Sequence, residues 1–128
     1  MEFYLDENLP PRVANALHAL EQGEGISVYH TKVAFNMGIL DPDLYPKLKE
    51  RNGILITNDF KMLSRKAEYQ LMISLGITAF FIKFPSGANF VVKYKMIFDR
   101  WEEIKKICKE NKRPFKCKIK PRGKSEIW

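Results

Sequence analysis

Two cysteines and two histidines are all that 128 residues offer for disulfide stapling or soft-ligand metal chemistry. With no His or Cys cluster at ligand spacing, a structural zinc site is excluded. Cys108 and Cys117 are read as buried small hydrophobes in a reducing cytoplasm rather than as a disulfide. Long hydrophobic runs are also missing. None approaches the ~18 residues of a membrane span, and the longest are interrupted by Gly76, Lys83 or Pro85. The opening Met1-Glu2-Phe3-Tyr4-Leu5-Asp6 lacks both the basic start and the apolar stretch of a signal peptide, so no leader is expected. Acidic residues are scarce near the end: across residues 105–124, Glu110 alone faces ten Lys and Arg.

What is present suits one soluble domain spanning residues 1–128. Hydrophobic residues make up 45% and charged residues 29%, which excludes wholesale disorder. A chain of this length buries roughly two-thirds of its unfolded surface, enough for a core without staples. The net charge of +7 is uneven, because residues 1–104 carry 12 Lys and Arg against 13 Asp and Glu. A nearly neutral body with a basic tail suggests a polyanion held by one edge. A solvated helix end followed by a lysine-guarded edge strand would carry the same charge.

The order of elements follows from short apolar runs and their punctuation. Phe3-Tyr4-Leu5 reads as a strand that stops at Asp6-Glu7-Asn8. Pro10-Pro11 opens a helix with Val13, Ala14, Leu17 and Leu20 at helical spacing, ended by Gly23 and Gly25. Residues 26–30 read as a second strand, followed by a loop through Met37-Gly38. Asp41-Pro42 opens a helix to about Arg51, with Asp41 at the N-cap. Ile54-Leu55-Ile56-Thr57 reads as a strand buried on both faces and ends in Asn58-Asp59. A helix from Met62 or Ser64 to Leu75, a strand over residues 77–82 and a long helix over residues 89–112 come next. That last helix carries an apolar stripe of Val92, Met96, Ile97, Ile104, Ile107 and Cys108. Pro114 ends it, and residues 115–120 alternate like an edge strand. Helices between strands imply crossovers, so the expected fold is a three-layer α/β/α sandwich on a mostly parallel five-stranded sheet.

Ligands on such sheets bind outside the carboxyl ends of the strands, at a topological switch point. Asp6 and Glu7 follow the first strand and Asp59 follows the third, so they converge if those strands are neighbours. Asp41 and Asp43 open the helix that feeds the third strand. Clustered carboxylates repel and call for a cation or a shared proton. Oxygen ligands without His or Cys favour Mg²⁺ or Mn²⁺ over Zn²⁺. Arg12, Lys61, Arg65, Lys66 and Lys83 fall near the same rim, and Arg122 follows the last strand in Pro121-Arg122-Gly123; each suits a phosphate or a solvated surface equally. His18 and His30 are read as structural. Phe80, Phe81, Phe84 and Phe90 are read as core and an apolar patch.

Three stretches, in order, resemble the small PIN-like domains. Phe3-Tyr4-Leu5-Asp6-Glu7-Asn8-Leu9-Pro10-Pro11-Arg12 is similar to their opening, Gly38-Ile39-Leu40-Asp41-Pro42-Asp43-Leu44 to their Gly-x-x-Asp helix start, and Gly53-Ile54-Leu55-Ile56-Thr57-Asn58-Asp59-Phe60 to their strand ending in Thr-x-Asp. The tail Arg113-Pro114-Phe115 through Pro121-Arg122-Gly123 resembles the closing strand of the toxin members. The resemblance implies a Mg²⁺- or Mn²⁺-dependent ribonuclease acting on single-stranded RNA, the toxin of a toxin–antitoxin pair. It puts the metal and catalytic acids on Asp6, Asp41 and Asp59, with Glu7 and Asp43 as further acids and Thr57 and Asn58 as supporting residues. Arg12, Lys61, Lys66 and Arg122 would hold the RNA, and the apolar patch would serve a homodimer or a protein antitoxin. Two departures stand out. Lys61 occupies a place that is often acidic, and Lys83-Phe84-Pro85 follows the fourth strand where full-size PIN domains have another acid. A receiver-like phosphoacceptor domain shares the acid pair and the acid after the third strand, but lacks here the Ser or Thr after the fourth. A non-catalytic nucleic-acid- or protein-binding module is the third reading.

Overall fold

In the computed structural model, residues 1–36 and 41–128 are described, Asp41 by its backbone alone. The strands are β1 (Glu2–Leu5), β2 (Ser27–His30), β3 (Ile54–Thr57), β4 (Thr78–Ile82), β5 (Lys116–Ile119) and β6 (Glu126–Ile127). The helices are α1 (Pro11–Leu20), α2 (Thr31–Ala34), α3 (Asp41–Arg51), α4 (Lys66–Ser74) and α5 (Phe90–Glu110), with a 3₁₀ turn over Phe60–Ser64 before α4. They build a mixed α/β fold on one sheet of order β2-β1-β3-β4-β5-β6, parallel except for the β5–β6 pair.

Strand alternation divides the core in two. Phe3, Leu5, Ile54, Ile56, Phe80 and Ile82 turn to the face covered by Val13, Ala14 and Leu17 of α1 and by Met96, Ile97, Trp101 and Ile104 of α5. Tyr4, Leu55, Ala79 and Phe81 turn to the other face, under Leu44, Tyr45 and Leu48 of α3 and Met72 of α4. Both faces of β3 are therefore covered, as its uninterrupted apolar run requires. Close packing reaches the backbone at Gly53, where a Cβ would lie 2.6 Å from the Tyr4 ring.

Several sequence expectations are corrected. The sheet has six strands, because residues 125–128 fold back and Lys116 and Trp128 exchange backbone hydrogen bonds of 2.9 and 2.8 Å. The lysine-rich β5 is consequently interior, paired with β4 on one side and β6 on the other. Its lysines reach rings: Lys116, buried, sets its Nζ 5.6 Å from the Tyr69 centroid, and Lys118 sets its Nζ 5.7 Å from that of Phe60, cation–π contacts that let lysines sit inside the sheet. Residues 31–34 form α2 instead of loop, whereas the Met37-Gly38 loop lies outside the described residues. The helix expected from residue 62 or 64 is two pieces, broken at Arg65, whose φ of −84° and ψ of 93° are extended. Val92 is exposed, as is Phe90 beside it, so the apolar stripe of α5 starts at Met96. Cys108 and Cys117 are both free and buried, and burial pushes their thiols up to about 11 and about 12, which keeps them protonated.

The basic tail does not form one face. Arg113 donates to Thr78 Oγ1 and the Asn52 carbonyl, at the amino end of the sheet. Lys105 is bonded to Glu21 and Glu102 on the α1/α5 layer. Of the tail, residues 118–122 run to the carboxyl edge, beside Lys83, whose N–H donates to the Ile119 carbonyl at 2.8 Å. Among the described residues no helix is long and apolar enough to cross a membrane.

Candidate functional site

The chain leaves β1 toward β2 on one side and leaves β3 toward β4 on the other, so the switch point falls between β1 and β3. Leu5 pairs with Ile56, and the ladder continues one step as the Asp6 N–H donates to the Ile56 carbonyl at 2.9 Å. This sets Asp6 beside Thr57. The Thr57 hydroxyl donates to Asp6 Oδ2 at 2.8 Å and accepts from the Asp59 N–H at 3.0 Å, tying the two strand-end acids together. The Glu7 N–H donates to Asp6 Oδ1 at 2.7 Å.

Asp6 is 4% exposed, and among the described residues no cation lies in salt-bridge range of its carboxylate. Burial raises its pKa above the ordinary 3.8; the Thr57 and Glu7 hydrogen bonds pull it back, and the charges of Glu7 and Asp59 add to the rise. A buried carboxylate held only by neutral donors next to a second carboxylate is a place for a cation. Asp59 caps the 3₁₀ turn, its Oδ1 accepting from the Lys61 N–H at 3.1 Å. Its Oδ2 accepts from Arg65 Nη1 at 3.3 Å, and the same nitrogen reaches Glu68 Oε2 at 3.3 Å. The donors are all hard oxygens. Their chemistry fits Mg²⁺ or Mn²⁺, which Asp6 and Asp59 would hold. Among the described residues no group of three His, Cys, Asp or Glu forms a complete cage. The Asp41 side chain, expected as the third acid, lies outside the described residues.

The other expected residues separate clearly. Thr57 is fully buried between the acids, and Asn58 is half-buried with an enclosed Oδ1 that has no partner among the described residues. Glu7 and Asp43 are exposed, Glu7 touching the site through its backbone. Arg12 sits exposed on the first turn of α1, Lys61 on the 3₁₀ turn and Lys66 at the start of α4. His30 has both ring nitrogens engaged, with Leu9 O at 2.7 Å and Lys32 N at 3.3 Å, and is structural. His18 accepts from the Val28 N–H through Nδ1.

Missed by sequence reasoning was a groove next to Asp59. One part, about 410 Å³, is lined by Asn58, Phe60, Lys83 and Lys93 among others. A second, about 460 Å³, shares Lys83 and Pro85 with it and continues to Lys118 and Arg122. The available signal was an aromatic directly after Asp59 and a lysine directly after β4.

The fold is thus a parallel sheet sandwiched by helices, with carboxylates at the carboxyl ends of the strands flanking its switch point. The sequence profile described as PIN like domain matches residues 1–84, and the chain belongs to this PIN-like domain family. PIN-like domains are generally nucleases. The match spans β1 to β4 with Asp6, Asp41 and Asp59, whereas α5, β5 and β6 lie beyond it. Comparison with curated proteins and with solved structures returns no match.

Proposed function

We propose that this chain is a Mg²⁺- or Mn²⁺-dependent ribonuclease that hydrolyses single-stranded RNA as the toxin of a toxin–antitoxin pair. The observation that carries the reading is Asp6, buried, without a counter-cation among the described residues, and joined to Asp59 through one hydroxyl at the switch point. Asp6 and Asp59, with Asp41 as third acid, would hold the ion, which when bound offsets charge on the scissile phosphate and lowers the pKa of the attacking water.

The chain's own groups do the positioning. Thr57 fixes the rotation of the Asp6 carboxylate, and the Lys61 N–H fixes that of Asp59. Arg65, held between Asp59 and Glu68, stands in for a cation and is close enough to pass to a phosphate when the ion takes Asp59. Lys61, Lys66 and Arg12 present further cations at the same rim, where they would hold the RNA backbone.

Asp59→Asn removes one negative charge at nearly constant shape. It is expected to lower Mn²⁺-dependent cleavage of single-stranded RNA by at least about 10²-fold with an unchanged circular dichroism spectrum. Cleavage at the parent rate by this variant, or by the parent in EDTA, would remove the nuclease reading. Arg65→Gln tests the stand-in role. Freed of its competitor, Asp59 should bind Mn²⁺ about 2- to 5-fold more tightly by calorimetry, the scale of one exposed ion pair. Weaker binding would make Arg65 a support of the site rather than a competitor.

A further inference from the structure

We propose that the groove leading from Phe60 to Arg122 is a track for single-stranded nucleic acid, with Phe60 as a base-stacking platform between two phosphate-holding lysines. The class of its occupant is taken from the nuclease reading; the location and the residues come from the groove itself. Lys83 Nζ and Lys118 Nζ both lie 5.7 Å from the Phe60 ring centroid, although Lys83 follows β4 and Lys118 belongs to β5. Lys93 Nζ repeats the arrangement 5.6 Å from the Phe84 centroid. Among the described residues no carboxylate lies within 4 Å of Lys83, Lys93, Lys118 or Arg122, whereas Lys120 is paired with Glu126 at 2.9 Å.

Cations gathered around one ring repel each other; Glu126, opposite Lys118 in the β5–β6 ladder, is ion-paired with Lys120, and with no ion pair of their own among the described residues Lys83 and Lys118 favour an anion from outside. A nucleotide strand alternates the two groups this surface can use, a charged phosphate and a flat base. An acidic peptide supplies charge but nothing to lie on Phe60 and Phe84. Continuity with the acids decides the rest. Phe60 directly follows Asp59, and Asn58 lines the groove with an enclosed oxygen that has no donor among the described residues. A strand bound at Asp6 and Asp59 is thereby led across β4 toward the loop after β5. Lys118 and Arg122 lie beyond the family-matched residues 1–84, on β5 and the loop after it.

The test is fluorescence anisotropy of a fluorescein-labelled oligouridylate of about ten nucleotides, a length within the usual single-strand site. EDTA is present throughout, so that binding is read without cleavage. For the Lys83→Gln/Lys118→Gln double variant, the slope of log affinity against log salt should flatten by about 1.4, at about 0.7 per phosphate contact. Phe60→Leu keeps an apolar side chain against Phe81 and should weaken binding about 10-fold with the slope unchanged, as loss of stacking does. Lys106→Gln, from a pair with Glu110 on α5, should leave both values at the parent level. A parent slope in the double variant overturns the track, as does displacement of the RNA by polyglutamate as readily as by unlabelled RNA. Failure of the nuclease reading would look different: the parent would not cleave, yet the slope would still flatten.

Discussion

Asp6→Asn is expected to abolish metal-dependent RNA cleavage while leaving the metal-free protein folded and insensitive to the pH range in which the parent loses stability. Asp6 sits at 4% exposure, its oxygens accepting from the Thr57 hydroxyl and the Glu7 N–H, neither of which carries a positive charge. Burial therefore holds its pKa above the ordinary 3.8, with the charges of Glu7 and Asp59 in the same direction. Between 3.8 and the raised native value, the folded state keeps a proton that the unfolded chain has released. Stability of the metal-free parent accordingly falls as pH rises through that window and stays lower above it. The introduced amide carries no titrating proton and removes this falling limb. A divalent cation acts in the opposite sense on the parent, stabilising whatever binds it. Thermal melts at neutral pH should thus show Mn²⁺ raising the parent's melting point and leaving that of the variant unmoved. Cleavage should fall by at least about 10²-fold. A variant that still melts higher with Mn²⁺ would show the ion held elsewhere.

Much of this site was legible in the sequence, for a physical reason. A parallel strand covered on both faces has almost no polar residue until its carboxyl end, so the first acid after Phe3-Tyr4-Leu5 and after Ile54-Leu55-Ile56-Thr57 marks the rim of the sheet. Adjacency of β1 and β3 was a condition there, and the register Leu5 to Ile56 fulfils it. The C-terminal third read less well. Two residues of β6 are too few to show a period, and their pairing rests on Trp128 returning to Lys116. Alternating lysines in β5 imitate a solvated edge, because a lysine along a ring and a lysine in water leave the same mark in a sequence. Charge counting failed similarly. It grouped Lys105, Arg113 and Lys118, which the fold sends to the α1/α5 layer, the amino end and the carboxyl end of the sheet. Phe60 entered the sequence reading only as the residue after Asp59, and the convergence of Lys83 and Lys118 on its ring is visible only in the fold.

Away from the acids, Glu21→Ala should cost about 3 kcal/mol of stability, or roughly 10 °C in melting point for a chain of this length. Glu21 follows the last residue of α1 and is 5% exposed. Its Oε1 accepts from Trp101 Nε1 at 2.8 Å and from Lys105 Nζ at 2.5 Å, joining α1 to α5 across the end of the core. Trp101 is itself buried, its ring edge-on to Phe3 at 4.8 Å. Truncation strands an indole N–H in an apolar layer and leaves Lys105 with the exposed Glu102 as its partner. Glu21→Gln keeps an acceptor for Trp101 and should lose less. Its pH dependence distinguishes the charge from the packing. Burial pushes the Glu21 carboxyl up, but the bonds from Lys105 and Trp101 outweigh it and hold the pKa below the ordinary 4.5. A depressed native pKa adds stability that is complete above 4.5 and is lost as pH falls through the native value. The parent's advantage over Glu21→Gln should consequently be constant near neutrality and shrink in acid. An advantage that persists unchanged at the lowest pH where both still fold would assign it to shape and not to the ion pair.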